Sequence, residues 1–442
     1  MKVTQLNNYY LLTSIFLFTF LSFFPTFALS ENISSETKIQ IADYTLKDAL
    51  SQGMIHGREM KKIQASYGRA LADFRENCSD YTPQMRVFAA DNEERSSILT
   101  KRLKNSGTLS AGYSDDGSSA DNKSRSVTWV HPLFSNNSLQ LDTAGLNLEI
   151  AALQRDSMVV DYRYSIIENY YEILRLQERV EVNKNAVERW NKLLEFATVR
   201  FDLGTSTKID VLNAQVNLGQ AENDVLREEQ RLATLRDTIS DIIGLEPSTH
   251  VKSIEPLKFT TANLQINSNW IIEKLEISKT RVKIARLETR DGMRNAKPDL
   301  EFRSAYSNID GIDADLTNSL QFSFSLGRRS EEHRYKSLKE SEKIARIDLE
   351  QDLASSVIAQ KAALRAIKRL ERSIKISKES VKQAEESAEF SRFSFEKGLV
   401  SAIELREAQT NVTTERSSLV NLKINYRIAI ANYIRSMGGN LD

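Results

Sequence analysis

The chain repeats itself at an offset of 194 residues, the separation of Gly204 from Gly398. Phe201-Asp202-Leu203-Gly204 is followed, six residues after the glycine, by Asp210, and then by Ala214-Gln215. Phe395-Glu396-Lys397-Gly398 is followed at the same distances by Glu404 and by Ala408-Gln409. The same offset pairs Val187 with Val381, Phe196 with Phe390 and Gly244 with Gly438. Solenoid units recur every 20 to 50 residues or so. A period this long marks a duplicated half-protein, so each half is expected to build the same substructure. We therefore expect a first repeat over 31–245 and a second over 246–442.

The 442 residues carry 60 basic and 60 acidic groups. Zero net charge speaks against a nucleic-acid binder, which needs a basic stripe. Only 6 Pro and 16 Gly favour long uninterrupted helices. Residues 1–30 read as a secretory signal peptide. Lys2 opens it, an apolar run extends from Leu11 to Phe24, and Ala28-Leu29-Ser30 supplies the small residues of a cleavage site. The single Cys78 has no intrachain partner, and no later segment is apolar enough to span a membrane as a helix. Any insertion into lipid must use strands.

From about 136 to 200 the pattern is helical. Val159, Ile166, Ile173, Val180, Val187, Leu194 and Phe201 recur every seven positions, a coiled-coil seam. Val211, Leu218, Val225, Leu232 and Ile239 continue it beyond Gly204, beside a second seam, Ala214, Ala221, Leu235 and Ile242, that Glu228 breaks. The second half matches, with Leu353, Ile367, Ile374, Val381, Ala388 and Phe395, then Leu405, Val412, Leu419, Tyr426 and Tyr433. Each half is expected to form a long helix, a turn and another long helix. Gly204 and Gly398 sit at the turns, where the left-handed conformation ends a helix. Thr205, Ser206 and Ser401 are the cap candidates for the helices that follow. Further helices are expected to begin near Tyr44–Leu50 and to cover about 263–293.

Short alternating stretches lie between the helices. Leu300, Phe302, Ser304 and Tyr306 alternate with polar residues, as do Leu320, Phe322, Phe324 and Leu326. In the first half, Val127 and Trp129 mark one strand. Its partner has two candidates, 84–90 and 108–114. The first is preferred because it follows Pro83 as the strand at 300 follows Pro298, and it leaves a long polar loop from about Asn92 to Lys123. That makes four strands per chain. Four strands cannot close a barrel, and lipid does not tolerate open edges, so several chains must share one.

The chain resembles the TolC-like outer-membrane efflux protein family of Gram-negative bacteria. Thr45-Leu46-Lys47-Asp48-Ala49-Leu50, Pro132-Leu133-Phe134 and the doubled stretches Phe201–Gln215 and Phe395–Gln409 carry the likeness. The resemblance implies a mostly α-helical protein with a membrane β-barrel. Its long coiled-coil hairpins form an α-barrel, and its four strands join a shared twelve-stranded barrel in a homotrimer. It implies a passive outer-membrane channel-tunnel with a long periplasmic extension, set in outer-membrane lipid. Its partners would be a periplasmic adaptor (membrane fusion) protein and an inner-membrane RND or ABC transporter, in tripartite efflux or type I secretion. No catalytic residue, cofactor, metal or nucleic acid is implied. The rival reading of the heptads alone is a coiled-coil structural or adhesive surface protein.

The resemblance also implies that the hairpin tips form the periplasmic entrance, narrowed by an acidic ring at Glu404 and Glu407, with Asp210 as the first-half equivalent. Docking to the adaptor falls on Gly204, Thr205, Ser206, Gly398, Leu399, Val400 and Ser401. The family's tip lock uses a Tyr and an Arg of the second hairpin. Here Phe395 lacks the hydroxyl and Val400 lacks charge, so Arg406 or Lys397 is the substitute partner expected for Asp210.

Overall fold

The computed structural model describes residues 40–89, 94–104, 107–115, 123–133, 139–246, 249–257, 273–297, 299–309, 314–323 and 329–437. All but Gln40 belong to one compact unit, residues 41–442. The expected signal peptide, Phe134, the strand positions Phe324 and Leu326, and Gly438 lie outside the described residues.

Seven helices occur among the described residues. Helices α1 (Leu46–His56) and α2 (Arg58–Ser79) precede the strands of the first half. Thr45 starts α1 with a capping box: its hydroxyl accepts from the Asp48 N–H, and the Asp48 carboxylate accepts from the Thr45 N–H. The long helices are α3 (Leu139–Asp202) and α6 (Arg329–Glu396), with 64 and 68 residues. At 1.5 Å per residue they run about 96 and 102 Å. Their partners α4 (Lys208–Ile243) and α7 (Ala402–Ser436) have only 36 and 35 residues. Each hairpin thus joins a long helix to a partner about half its length. The remaining length of α3 is covered by α2 and by α5 (Glu273–Asn295), and α5 also covers α6. Gly244 ends α4 at φ 75°, and a Cβ there would lie 2.5 Å from the His56 carbonyl oxygen.

Four helices lie side by side in the order α4–α3–α7–α6. Ile166, Ile173 and Val180 are buried on α3, while Ile367, Ile374 and Phe395 are buried on α6. Glu228, the break in the second seam, is also buried. It accepts from Arg179 at 2.7 Å and from Arg231 at 3.0 Å, which supplies the pairing a buried carboxylate requires. Midway along, Tyr162, Ile166, Tyr170, Ile239, Ile243 and Val251 form the main core. The Tyr162 hydroxyl donates to the carbonyls of Gly53 and Ile242, and that of Tyr170 to Tyr44. Burial pushes both phenols up to about 12. A two-stranded sheet joins β1 (Gln40–Tyr44) to β6 (Thr249–Ser253) at this level, and no alternation in the sequence announced it.

The second sheet has six strands, in the order β2 (Gln84–Ala89), β3 (Arg95–Leu103), β4 (Gly107–Asp115), β5 (Lys123–Pro132), β7 (Asp299–Ile309) and β8 (Asp315–Ser323), all antiparallel. The count of four strands is corrected to six. Both rival candidates in the first half are strands. The neighbour of β5 is β4, which covers 108–114, whereas the preferred 84–90 stretch forms the outer edge. The expected polar loop from Asn92 to Lys123 instead contains β3 and β4. The serines and threonines of these two strands concealed the alternation, because all but Ser97 crowd onto one face and make it read as loop. Through the register, Met85, Leu99, Ala111, Val127, Tyr306 and Leu316 line up on one face. Arg86, Ile98, Gly112, Ser126, Ser307 and Asp315 line up on the other.

Candidate functional site at the paired hairpin tips

Both tips are built alike. Gly204 and Gly398 have φ of 70° and 76°, the left-handed conformation that glycine adopts without strain. In the first tip Gly204 N–H donates to the Phe201 carbonyl and Thr205 N–H to that of Arg200. In the second, Gly398 N–H donates to Phe395 and Leu399 N–H to Ser394. These bonds satisfy carbonyls that the helix ends would otherwise leave open.

The next helices begin with matching capping boxes. Ser401 caps α7 with Glu404, as expected. The cap of α4 is Thr207, with Asp210, and not Thr205 or Ser206. The repeat itself carried this signal, since Thr207 stands 194 residues before Ser401. Ser206 instead donates to Asp210 at 3.0 Å, and Thr205 donates to the Arg200 carbonyl at 3.0 Å.

The capping boxes divide the three acids. The Asp210 carboxylate accepts from the Thr207 N–H, the Thr207 hydroxyl and the Ser206 hydroxyl. Burial pushes this carboxyl up, but the Thr207 bonds, the Ser206 bond and the Arg200 charge outweigh it and hold it below the ordinary carboxylate value. Glu404 accepts from the Ser401 N–H at 3.1 Å. Glu407, one turn further on, is exposed. One acid per hairpin is therefore committed to holding its own helix start.

Arg200, which the sequence reading overlooked, ties the two tips together. Its guanidinium donates to the Phe395 carbonyl of the other hairpin at 3.0 Å and to the Thr205 carbonyl of its own at 3.1 Å. It also lies 5.6 Å from the Phe395 ring centroid and 5.8 Å from that of Phe196, within cation–π range. The residue 194 positions later is Ser394, so the asymmetry was present in the repeat. Lys397 sits over Phe393, and neither it nor Arg406 makes an ion pair with Asp210 among the described residues. Arg406 lines a small cavity that also includes Asp210 and Asn213.

Above the tips, α3, α6 and α7 enclose a groove of about 650 Å³, lined by Phe196, Phe395 and Leu405 and by Arg189, Glu385 and Arg416. Arg416 pairs with Glu385 at 2.6 Å. Burial, then the Arg416 charge, pulls the Arg189 guanidinium below its ordinary value. At the turns, Leu399 is 77% exposed and Leu203 72%, whereas Val400 is half-buried.

A two-faced antiparallel sheet, carried on helices about 100 Å long that end in paired tips, has the build of a membrane pore joined to a helical stalk. A sequence model of the outer membrane efflux protein family matches residues 50–245 and 298–439. The outer membrane protein TolC of Vibrio cholerae is 25% identical over 236 residues, 50% of this chain and 53% of that protein. An uncharacterized Haemophilus influenzae protein is 19% identical over 255 residues, 58% of this chain and 53% of its own length. The chain thus spans about half the length of the curated relatives it matches. Among solved structures, the outer membrane protein VceC of Vibrio cholerae superposes with a TM-score of 0.70 at 14% identity, covering 90% of this chain and 97% of that one. The outer membrane channel CmeC of Campylobacter jejuni gives 0.69 at 12%, covering 89% and 85%. The chain belongs to the outer membrane efflux protein family. It is an outer-membrane protein of a Gram-negative bacterium with a long periplasmic tunnel portion.

Proposed function

We propose that the chain is one protomer of a passive, homotrimeric export duct. It would receive its cargo from a periplasmic adaptor and an inner-membrane RND or ABC transporter. The observation that carries this reading is that the protomer is open on both sides at both levels. In the sheet, β2 and β8 are unpaired edges that bear exposed Met85 and Val87, and Leu316, Leu320 and Phe322. In the helical layer, the outer helices α4 and α6 expose Ile209, Leu212, Val216 and Leu226, and Ile376 and Phe390. Exposed apolar edges of this kind invite another chain. Strands β2 and β8 run in opposite directions, so β8 of one copy continues the antiparallel order against β2 of the next. Copies arranged in a ring satisfy both levels at once.

The tips then surround the inner mouth. Glu407, exposed one turn above each second-hairpin cap, is the principal acid of the ring, and Glu404 and Asp210 contribute beside their capping bonds. Leu399 and Leu203 are the apolar contacts offered to an adaptor, with the remaining tip residues, Gly204, Thr205, Ser206, Gly398, Val400 and Ser401, setting the shape of the turns. The test is planar-bilayer conductance of the detergent-purified protein, with its mass measured in the same detergent. A trimer with small cation-selective steps is expected. A monomer or dimer that never conducts would overturn the reading in favour of a coiled-coil surface protein.

A further inference from the structure

The hairpin β3–β4 has no counterpart in the second half, and its side chains follow the same two-faced rule as the strands around it. On the face of Val127 and Trp129, it presents Leu99, Leu103, Leu109, Ala111 and Tyr113, together with Ser97, Gly107, Lys101 and, at the far end, the paired positions Arg95 and Asp115. On the opposite face it presents Ser96, Thr100, Arg102, Thr108, Ser110, Gly112 and Ser114, with Ile98 the one large apolar member. A surface hairpin outside the membrane has no reason to keep one face apolar in register with its neighbours. A membrane strand must do so, because acyl chains cover one face and water the other. Aromatic residues mark both ends of the apolar face. Trp129 and Phe302 pack edge-to-face at 5.8 Å, with His131 stacked on Trp129 at 5.6 Å, near the helices. Tyr113 and Tyr306 lie towards the far end.

Strand direction agrees. Because β3 and β4 add one strand of each direction, β2 remains antiparallel to β8 and ring closure is preserved. The turn of the hairpin returns to the helix end of the sheet, where Lys104 pairs with Asp142 of α3 at 3.1 Å. Both strands therefore traverse the sheet rather than capping it.

We propose that β3 and β4 are lipid-facing, membrane-spanning strands, so that each copy contributes six strands to the shared barrel. This rests on the trimeric duct proposed above. Three copies then make eighteen strands rather than twelve. Barrel diameter grows roughly linearly with strand number, so this barrel is about 1.5 times as wide as a twelve-stranded one at equal tilt. An eighteen-stranded barrel falls in the range that encloses an aqueous channel. The polar hydroxyl face of β3 and β4 then lines the lumen.

The test uses full-length protein in liposomes, with single cysteines placed by Leu109→Cys, Ser110→Cys or Val127→Cys in a Cys78→Ser background, each labelled with a fluorophore. Nitroxide-bearing lipid should quench the labels at 109 and 127 several-fold more than the label at 110. A membrane-impermeant quencher should reverse that order. Quenching by lipid at 127 but not at 109 would overturn the six-strand barrel and leave the duct intact. Absence of lipid quenching at 127 as well would remove the duct itself. A second reading is the distance between spin labels at position 127 across the copies. It should shrink by about a third when residues 95–115 are deleted. An unchanged distance would overturn the proposal.

Discussion

The two hairpin tips and the two halves of the sheet have diverged to different degrees. The tips share a left-handed glycine, an acid that closes a capping box and the same pair of turn hydrogen bonds. In the sheet, the first half supplies β2 to β5 and the second only β7 and β8. A turn between two packed helices has few solutions, and each residue in it satisfies a specific backbone group. An antiparallel sheet is additive, so a hairpin can be inserted without disturbing strand direction at either edge. Divergence after duplication has been large where the architecture is modular and small where the backbone is constrained.

That contrast can be broken by mutation, most severely away from the tips. Gly244→Val should destabilise the protein by about 3 kcal/mol or more, since it combines positive φ with a close approach to the His56 carbonyl. Thermal unfolding in detergent measures it, and a melting temperature within two degrees of the parent would refute the account. Gly204→Val and Gly398→Val meet open space, apart from Arg200 3.9 Å from the latter, so each should cost only the backbone term, about 1–2 kcal/mol, and equally in both tips. Both should impair export while the barrel still assembles. Unequal costs would show that the tips are less alike than their geometry suggests.

Arg200→Ala removes the charged contact that, among the described residues, crosses between the tips. The expected loss is about 1–2 kcal/mol, confined to the tips, because a charge-assisted bond to a backbone carbonyl is lost. Hydrogen exchange at 199–207 and 395–401 should accelerate roughly ten-fold, and open-channel time should rise. Ser394→Ala, at the equivalent place, should change neither, and matched effects would remove Arg200 from its special role.

Among the acids, Glu407→Ala should reduce cation selectivity more than Glu404→Ala, and the double variant most of all. Unchanged reversal potentials in the double variant would sink the acidic mouth. The smallest effect is that of pH. Asp210 is held below its unfolded value, so its contribution is fully present above that value. It is lost as pH falls through the lower, folded value. Acid should therefore loosen the first tip, and Asp210→Asn should abolish that dependence in exchange measurements.

Much of this was legible in the sequence, and the exceptions have physical causes. Ile166, Ile173 and Val180 kept a seven-residue spacing because long packed helices enforce it, and Gly204 and Gly398 announced the turns. Helix length was legible from the heptads, which run to Ile239 and Tyr433, but spacing alone does not say which other helices cover the rest of α3. The strands β3 and β4 escaped because the Ser, Thr and Gly on the face opposite Leu99 and Val127 read as loop. Arg200 was missed because a single arginine at the end of a helix has a bland role, completion of the last turn; only its contact with another hairpin distinguishes it. Glu228 looked like a flaw in a seam, and one of the two arginines that explain it, Arg179, comes from a different helix.

The half-length partners of α3 and α6 have a mechanical consequence. Below the level of Ile243 and Tyr433, each hairpin is a two-helix arm, anchored at one end and held to the other hairpin at its tip by Arg200. Helix α4 is 36 residues, or about 54 Å. Pivoting such an arm by 10° about its anchored end carries the tip sideways by about 9 Å, using the same rise per residue. In the proposed duct, repacking around Tyr162 and Gly244 would be geared up at Gly204, so that the fulcrum would set the aperture together with the residues that line it.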